Sequence, residues 1–333
     1  MNKQRLIIPI VLMFVVLMFV MLPGAAPDQT LPKVFHLGLL GCGPPPSDTG
    51  DIVAGLIRGL AQRGYVLDRN VAFERRGAQF HLDRLPELVD ELVASRVDVI
   101  VAIGYPAAAA AQQGTKTIPI VSAGTPDAIA TGLVNSLSRP GGNLTGISDD
   151  AVALSAKRLE LLKEAVPQLR HVAMLYNAAD LGMTQRYQVS AVAAQTLGLT
   201  VQPLPVREPE GFDEAFAAMT REPPDGLLMV TDALTALNHR RVFEFAAAHR
   251  LPAIYEFEAL VRDGGLMSYG PDMRELQDRV AGLIDRILKG TKPAELPFEQ
   301  PTRFPFVINL KTAKALGLAI PQSILARADE LIE

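Results

Sequence analysis

Two hydrophobic periodicities alternate along this chain, stop at a sharp bend, and then run through the same alternation again. Val34 to Leu40 reads as a strand, and Ile52, Val53, Leu56, Ile57 and Leu60 then fall on one helical face that stops at Gly64. Val71 to Glu74 is a second strand, Leu85, Leu88, Val89, Leu92 and Val93 make a second helical stripe, and Val97 to Ile103 is a buried strand. An Ala-rich helix, Ala107 to Gln113, opens on Pro106, and Ile118 to Ser122 is another strand. After the bend come a helix carrying Leu159, Leu162 and Val166, strand His171 to Tyr176, a helix across Thr184 to Leu197 and strand Thr200 to Leu204. Helix Phe212 to Met219, strand Gly226 to Val230, helix Arg240 to His249 and strand Ala253 to Tyr255 follow. Near-continuous apolar strands alternating with helices predict parallel sheets covered on both faces. The expected fold class is therefore α/β, with two doubly wound parallel-sheet lobes.

The joins between the lobes are also legible. In "GLVNSLSRPGGNLTGIS", Gly132 to Ser148, Pro140 pre-sets one turn position, Gly141 and Gly142 supply positive φ, and Asn143 can bond its own backbone. The chain must bend at Arg139 to Asn143; we expect this bend to be the exit from lobe one, and Leu144 to Ile147 to be a strand crossing into lobe two, a candidate hinge. A second crossing is expected at Gly264 to Gly270, ahead of a long amphipathic helix with Leu276, Val280, Leu283, Ile284, Ile287 and Leu288 that Gly290 stops. Phe306 to Ile308 reads as a last strand before C-terminal helices around Thr312 to Leu316 and Ile324 to Ile332. Three passages predict a clamshell on a three-segment hinge, with residues 33–145 and about 271–300 in lobe one and 146–270 and about 301–333 in lobe two.

Composition bounds the function. The 333 residues are 49% hydrophobic and 20% charged, ordinary for a globular chain and enough for two domains. With 32 basic against 36 acidic residues and no basic stripe, nucleic acid is excluded as a partner. The single cysteine, Cys42, excludes an internal disulfide and a multi-cysteine metal site. Residues 1–26 combine a positive start, Met1 to Arg5, an apolar run, Leu6 to Leu22, and the small-residue stretch Pro23 to Ala26. That is an export signal; since the run is long enough to span a bilayer, an uncleaved membrane anchor is the alternative. Leu39-Leu40-Gly41-Cys42 mimics a lipoprotein cleavage box but lies well beyond the apolar run and reads as the end of a strand.

Ligands of open parallel sheets bind at the C-terminal ends of the strands, which selects the candidate site residues. Gly104, Tyr105, Pro106 and Ala107 place backbone N–H groups at a helix start, suited to a carboxylate, against the plainer reading of a helix entry with a surface tyrosine. Thr125 and Asp127 can meet a ligand hydroxyl or amine, with helix capping as the competing role. Asn177, Asp232, Tyr255 and Glu256 end strands of lobe two; capping competes at Asp232 and a solvated loop charge at Glu256. Enzymatic readings fail. Gly41-Cys42-Gly43 mimics a dinucleotide loop, but Pro46 stands at the third glycine position and three prolines block an immediate helix. No Walker motif, nucleophile elbow or His pair at metal spacing occurs, and no cofactor is expected.

Four blocks then carry a resemblance: "GLVNSLSRPGGNLTGIS", "AKRLELLKEAVP" (Ala156 to Pro167), "LPAIYEFEALVRDGGLMSYG" (Leu251 to Gly270) and "RILKGTKPAELPFEQPTRFPFVINLKTAKALGL" (Arg286 to Leu318). In them the chain resembles ABC-transporter substrate-binding proteins with a type I periplasmic-binding fold, the group that includes tryptophan-type binding proteins. The resemblance implies an extracytoplasmic, monomeric protein that captures a small solute, amino-acid-like or aromatic, and hands it to a membrane permease and its ATPase. A membrane-anchored ligand sensor using the same clamshell is the alternative. The chain departs from the family pattern at the pocket loops. Gly41-Cys42-Gly43-Pro44 stands where relatives tend to carry Ser-Ser, Tyr105 where Thr or Ser is usual, Ala128 where a proline usually follows the aspartate, and the prolines common after Asn177 are missing.

Overall fold

The protein is described by a computed structural model covering residues 33–148 and 151–333. The expected export segment, residues 1–26, and Asp149-Asp150 lie outside the described residues. Lobe one is built from strands β1 (Phe35–Gly41), β2 (Val71–Gly77), β3 (Val99–Ile103), β4 (Ile120–Thr125) and β5 (Leu144–Ser148). Its helices are α1 (Asp51–Gln62), α2 (Leu85–Ala94) and α3 (Tyr105–Gly114). The strands pair in the order β2-β1-β3-β4-β5, all parallel. Parallel strands are buried on both faces, which is why β3 is apolar throughout and β4 is buried at every position but Gly124.

Lobe two repeats the plan. Helices α4 (Ala151–Ala165), α5 (Leu181–Thr196), α6 (Gly211–Arg221), α7 (Ala233–Leu237), α8 (His239–Ala248) and α9 (Glu258–Arg262) surround strands β6 (His171–Asn177), β7 (Thr200–Val206), β8 (Gly226–Met229), β9 (Ala253–Tyr255) and β10 (Met267–Tyr269). These five pair as β7-β6-β8-β9-β10, the same permutation as in lobe one. The chain then returns through α10 (Met273–Leu288), β11 (Phe306–Asn309), α11 (Leu310–Leu316), α12 (Gln322–Leu325) and β12 (Glu330–Ile332). β11 pairs antiparallel with β10, and β12 lies parallel beside β11 at the sheet edge.

Helix α10 explains the return. Its apolar stripe, Leu276, Val280, Leu283 and Ile284, is buried in one cluster with Leu37, Leu56 and Val121 of lobe one. β11, α11 and α12 instead join the core of lobe two through Phe306, Ile308, Leu316 and Ile324. The passages flanking α10 are tied to each other: the Glu275 carboxylate accepts Thr302 Oγ1 at 2.6 Å and the Arg303 amide at 3.0 Å, and the Asp272 amide donates to the Arg303 carbonyl.

Two expectations need correction. Leu144–Ser148 does not cross between the lobes; it is the edge strand of the first sheet, paired with β4. Gly141 and Gly142 both take positive φ. The bend they make delivers Asn143, whose Nδ2 donates to the carbonyls of Thr115 (3.0 Å) and Ile118 (2.7 Å) while its own carbonyl accepts the Ile120 amide. The RPGGN bend is thus a clamp that closes the edge of lobe one, and the described chain resumes in lobe two with α4. At the C-terminus, Ile324 to Ile332 is not one helix. Asp329 exchanges bonds with Phe306, its carboxylate accepting the Phe306 amide at 2.7 Å and its amide donating to the Phe306 carbonyl, and this long-range pairing draws Glu330–Ile332 out as a strand.

Candidate functional site

In a sheet ordered 2-1-3-4-5 the chain leaves strands 1 and 3 in opposite directions, and the crevice between their C-terminal ends is where ligands bind. Lobe one therefore offers the loops after β1 and β3, which carry Cys42 and Gly104-Tyr105-Pro106, and lobe two the loops after β6 and β8, which carry Asn177 to Asp180 and Thr231-Asp232. The two crevices face each other. The negative charges of Asp180 and Asp232 both act on Cys42, and that of Asp180 also acts on Tyr105, across the gap between lobes. The lobes touch at the rim as well: Gln185 Nε2 donates to the Ala130 carbonyl at 3.1 Å, and Gly182 packs so tightly on Pro126 that a Cβ there would stand 2.5 Å from its ring.

Lobe two presents two carboxyl groups. Asp180 caps α5, its Oδ1 accepting the amides of Gly182 (2.8 Å) and Met183 (3.3 Å). Burial, and after it the charge of Asp232, push the Asp180 carboxyl up to about 7. Asp232 caps α7 in a capping box with Thr235, and its Oδ2 accepts Asn177 Nδ2 at 2.6 Å. Burial raises its pKa too, against those hydrogen bonds. Asn177 is in turn oriented by the Ala179 amide, which donates to its Oδ1.

Lobe one answers with neutral groups. The Cys42 sulfur sits at the start of α3, where the Ala107 amide faces it. A thiol at a helix N-terminus is ordinarily acidified. Here burial, Asp180 and Asp232 outweigh that amide and push it up to about 12, so Cys42 is a neutral thiol at physiological pH. Burial and then Asp180 likewise raise the Tyr105 phenol. The expected carboxylate cradle at Gly104 to Ala107 is thereby reduced: Gly104 does take positive φ, but Pro106 has no N–H and Ala107 is turned to sulfur.

Four predicted residues are committed elsewhere. Thr125 is 1% exposed and its hydroxyl donates to the Ile147 carbonyl, inside lobe one. Asp127 Oδ1 accepts the amides of Ile129 and Ala130 within the turn that follows β4; no helix begins there for it to cap. Tyr255 is a core residue, 1% exposed and edge-on to Phe243 at 5.1 Å. Glu256 is not a solvated loop charge: it is 1% exposed, and both of its oxygens are taken by arginines, Arg158 at 3.0 Å and Arg186 at 2.6 Å. Strand-end position placed all four near the cleft, but their strands lie one step away from the switch points.

Two residues of the cleft escaped the sequence reading. Asp180 had a signal, an aspartate just ahead of a helix. Phe80 had none. It and Gln79 are held at positive φ (67° and 54°) by a loop whose amides bond back to Cys42 and Gly43, and the Phe80 ring packs against the core of lobe two. Such a backbone costs on the order of 1–3 kcal/mol at each residue and persists only where the surroundings enforce it. We expect Phe80→Ala to cost lobe closure about 1–2 kcal/mol and weaken solute affinity about tenfold, read by titration calorimetry, with the ligand-free radius of gyration increased in solution scattering. Unchanged affinity and radius would show that the ring does not latch the lobes.

Among the described residues, no group of three His, Cys, Asp or Glu side chains is placed to hold a metal ion, and no helix is long and apolar enough to cross a membrane. The geometry agrees with what the chain is similar to. A tyrosine-binding protein of Clostridioides difficile is 28% identical over 267 residues, spanning 79% of this chain and 76% of that protein. A solved ABC domain from Streptococcus pneumonia in complex with L-Trp is 29% identical, covers 90% of this chain and all of its own, and superposes with a TM-score of 0.82. A conserved domain protein from Vibrio cholerae is 26% identical over the same shares, with a TM-score of 0.83. The family described as ABC transporter substrate binding protein matches residues 47–332. Twin lobes with facing switch points and a family match over most of its length place this chain in the ABC transporter substrate-binding protein family.

Proposed function

We propose that this chain is the extracytoplasmic solute-binding protein of an ABC importer, that it captures a small amino-acid-like or aromatic solute between its lobes, and that it delivers the solute to a membrane permease without transforming it. The observation that carries this reading is the confrontation of Cys42 and Tyr105 with Asp180 and Asp232 at the two switch points. The relatives that bind tyrosine and L-Trp support the solute class. We assign residues 33–148 with 273–299 to lobe one and residues 151–269 with 306–333 to lobe two, each passage between them serving as one strap of the hinge. Solute binding stabilises the closed arrangement of the lobes, and that arrangement is what the permease recognises.

A thermal-shift screen of amino acids, their derivatives and other small metabolites tests the proposal. A true solute at about 100 times its Kd stabilises the protein by about 2.7 kcal/mol, and Asp232→Ala is expected to remove that shift. A shift that survives in Asp232→Ala, Asp180→Asn and Tyr105→Ala alike would place the pocket elsewhere. Turnover of any screened compound would overturn the carrier reading.

A further inference from the structure

Around the two switch points the carboxylates are acceptors and most side-chain donors are already engaged, the buried Thr231 hydroxyl excepted, and this bears on the charge of the solute. Asp180 is 4% exposed; its Oδ1 takes two amides, and among the described residues no group donates to its second oxygen. Asp232 is held by neutral donors, Thr235, Asn177 and the Leu234 amide. Neither carboxyl group forms an ion pair among the described residues. The arginines behind them, Arg158 and Arg186, are drawn to Glu256 instead.

Opposite these carboxylates there is little to receive an anion. Cys42 is a neutral thiol, Tyr105 a neutral phenol, Pro106 has no amide hydrogen, and the Ala107 amide faces sulfur. The apolar side is supplied by Phe80 and Leu237, which approach each other over Gly43 from the two lobes. A buried charge is tolerated only when paired. An ammonium placed here meets two carboxylates, whereas a carboxylate placed here meets the same two, and the cation whose field reaches Asp180, Arg186, is already bound to Glu256.

Resting on the cleft reading above, we infer that the solute is a cationic amine whose own carboxylate is absent or masked, with an aromatic or branched apolar body, and that zwitterionic amino acids are the poorer ligands. Rejection works through the unpaired anion, the usual route by which a buried polar mismatch sets specificity.

Titration calorimetry of the full chain with matched probes tests this: tyramine, tryptamine and the methyl esters of L-tyrosine and L-tryptophan against L-tyrosine and L-tryptophan themselves. The amines and esters are expected to bind at least tenfold more tightly than the parent acids. Asp180→Asn, which keeps the helix cap, is expected to weaken amine binding at least a hundredfold while the fold is retained by circular dichroism. Acids that bind as tightly as their esters overturn the inference and leave the carrier reading standing. No binding of any of the six probes overturns it as well, and the broader thermal-shift screen then decides the carrier reading separately. Equal amine affinity in Asp180→Asn would show that the preference does not arise at this carboxylate.

Discussion

Replacing Glu256 by Ala is expected to destabilise the protein by about 3–5 kcal/mol, the usual cost of removing one partner from a fully buried charge pair. The carboxylate sits at 1% exposure between Arg158, also at 1%, and Arg186, at 5%, and accepts the Thr231 amide at 3.2 Å besides. Its loss removes the one carboxylate that two buried guanidinium groups share. The effect reaches the hinge, because Arg158 Nε donates to the Tyr269 carbonyl at 2.7 Å, at the mouth of the second passage between lobes. Equilibrium urea unfolding reads the loss directly. Glu256→Gln keeps the shape and one acceptor but removes the charge, and is expected to be milder without being neutral. A loss under about 1 kcal/mol for Glu256→Ala would mean that the guanidinium groups find other compensation and that the triad does not hold this end of lobe two together.

The second large effect is a gain. Asp180→Asn is expected to stabilise the ligand-free protein at pH 8 by an amount on the order of 4 kcal/mol and to flatten its pH dependence. The sign follows from the direction of the shift. The Asp180 carboxyl titrates near 7 in the folded protein against an ordinary 3.8, so the folded state holds this proton more tightly than the unfolded chain does. The stability this group contributes is complete below about pH 4 and is lost as pH rises through 7. Asparagine cannot ionise, so the loss disappears, and it remains as good an N-cap for Gly182 and Met183 as aspartate. The substitution should at the same time empty the cleft of its accessible carboxylate and abolish binding. A residue that destabilises its own fold and is needed for capture is the expected signature of a functional site. Thermal unfolding of both proteins from pH 4 to 8 checks it; parallel curves would show that Asp180 is ionised throughout and carries no such cost.

The membership of the molecule in two α/β lobes was decided by local chemistry and could be read in advance. Ile52, Leu56 and Leu60 can face one way only on a helix, Val99 to Ile103 can be buried on both faces only in a parallel sheet, and Gly290 and Pro293 stop α10 wherever it packs. The loops that carry the cleft follow from strand ends and were legible to the same degree. Pairing partners were not. Leu144–Ser148 has the composition of a strand whichever lobe it joins, and only the reach of Asn143 to Thr115 and Ile118 assigns it to the first sheet. Glu330–Ile332 became a strand because Asp329 found Phe306, 23 positions away.

The same division runs through the candidate site. An aspartate before a helix announces a cap, so Asp180 and Asp232 were visible as types, but their elevated pKa values come from burial that two separate elements create together. Tyr255 and Glu256 look alike as strand-end polar residues, yet one packs on Phe243 and the other is locked between Arg158 and Arg186. Phe80 carries no local mark at all, since its backbone strain and its packing on lobe two exist only once the lobes meet. Sequence by itself determined most of the helices, strands and turns, Glu330–Ile332 and the short helices α7 and α9 excepted, because those follow from interactions a few residues long. Which strands share a sheet, which carboxylates lie buried face to face with a neutral thiol, and which ring latches the lobes were decided by tertiary structure alone, because each depends on groups that only the folded chain brings within a few ångströms.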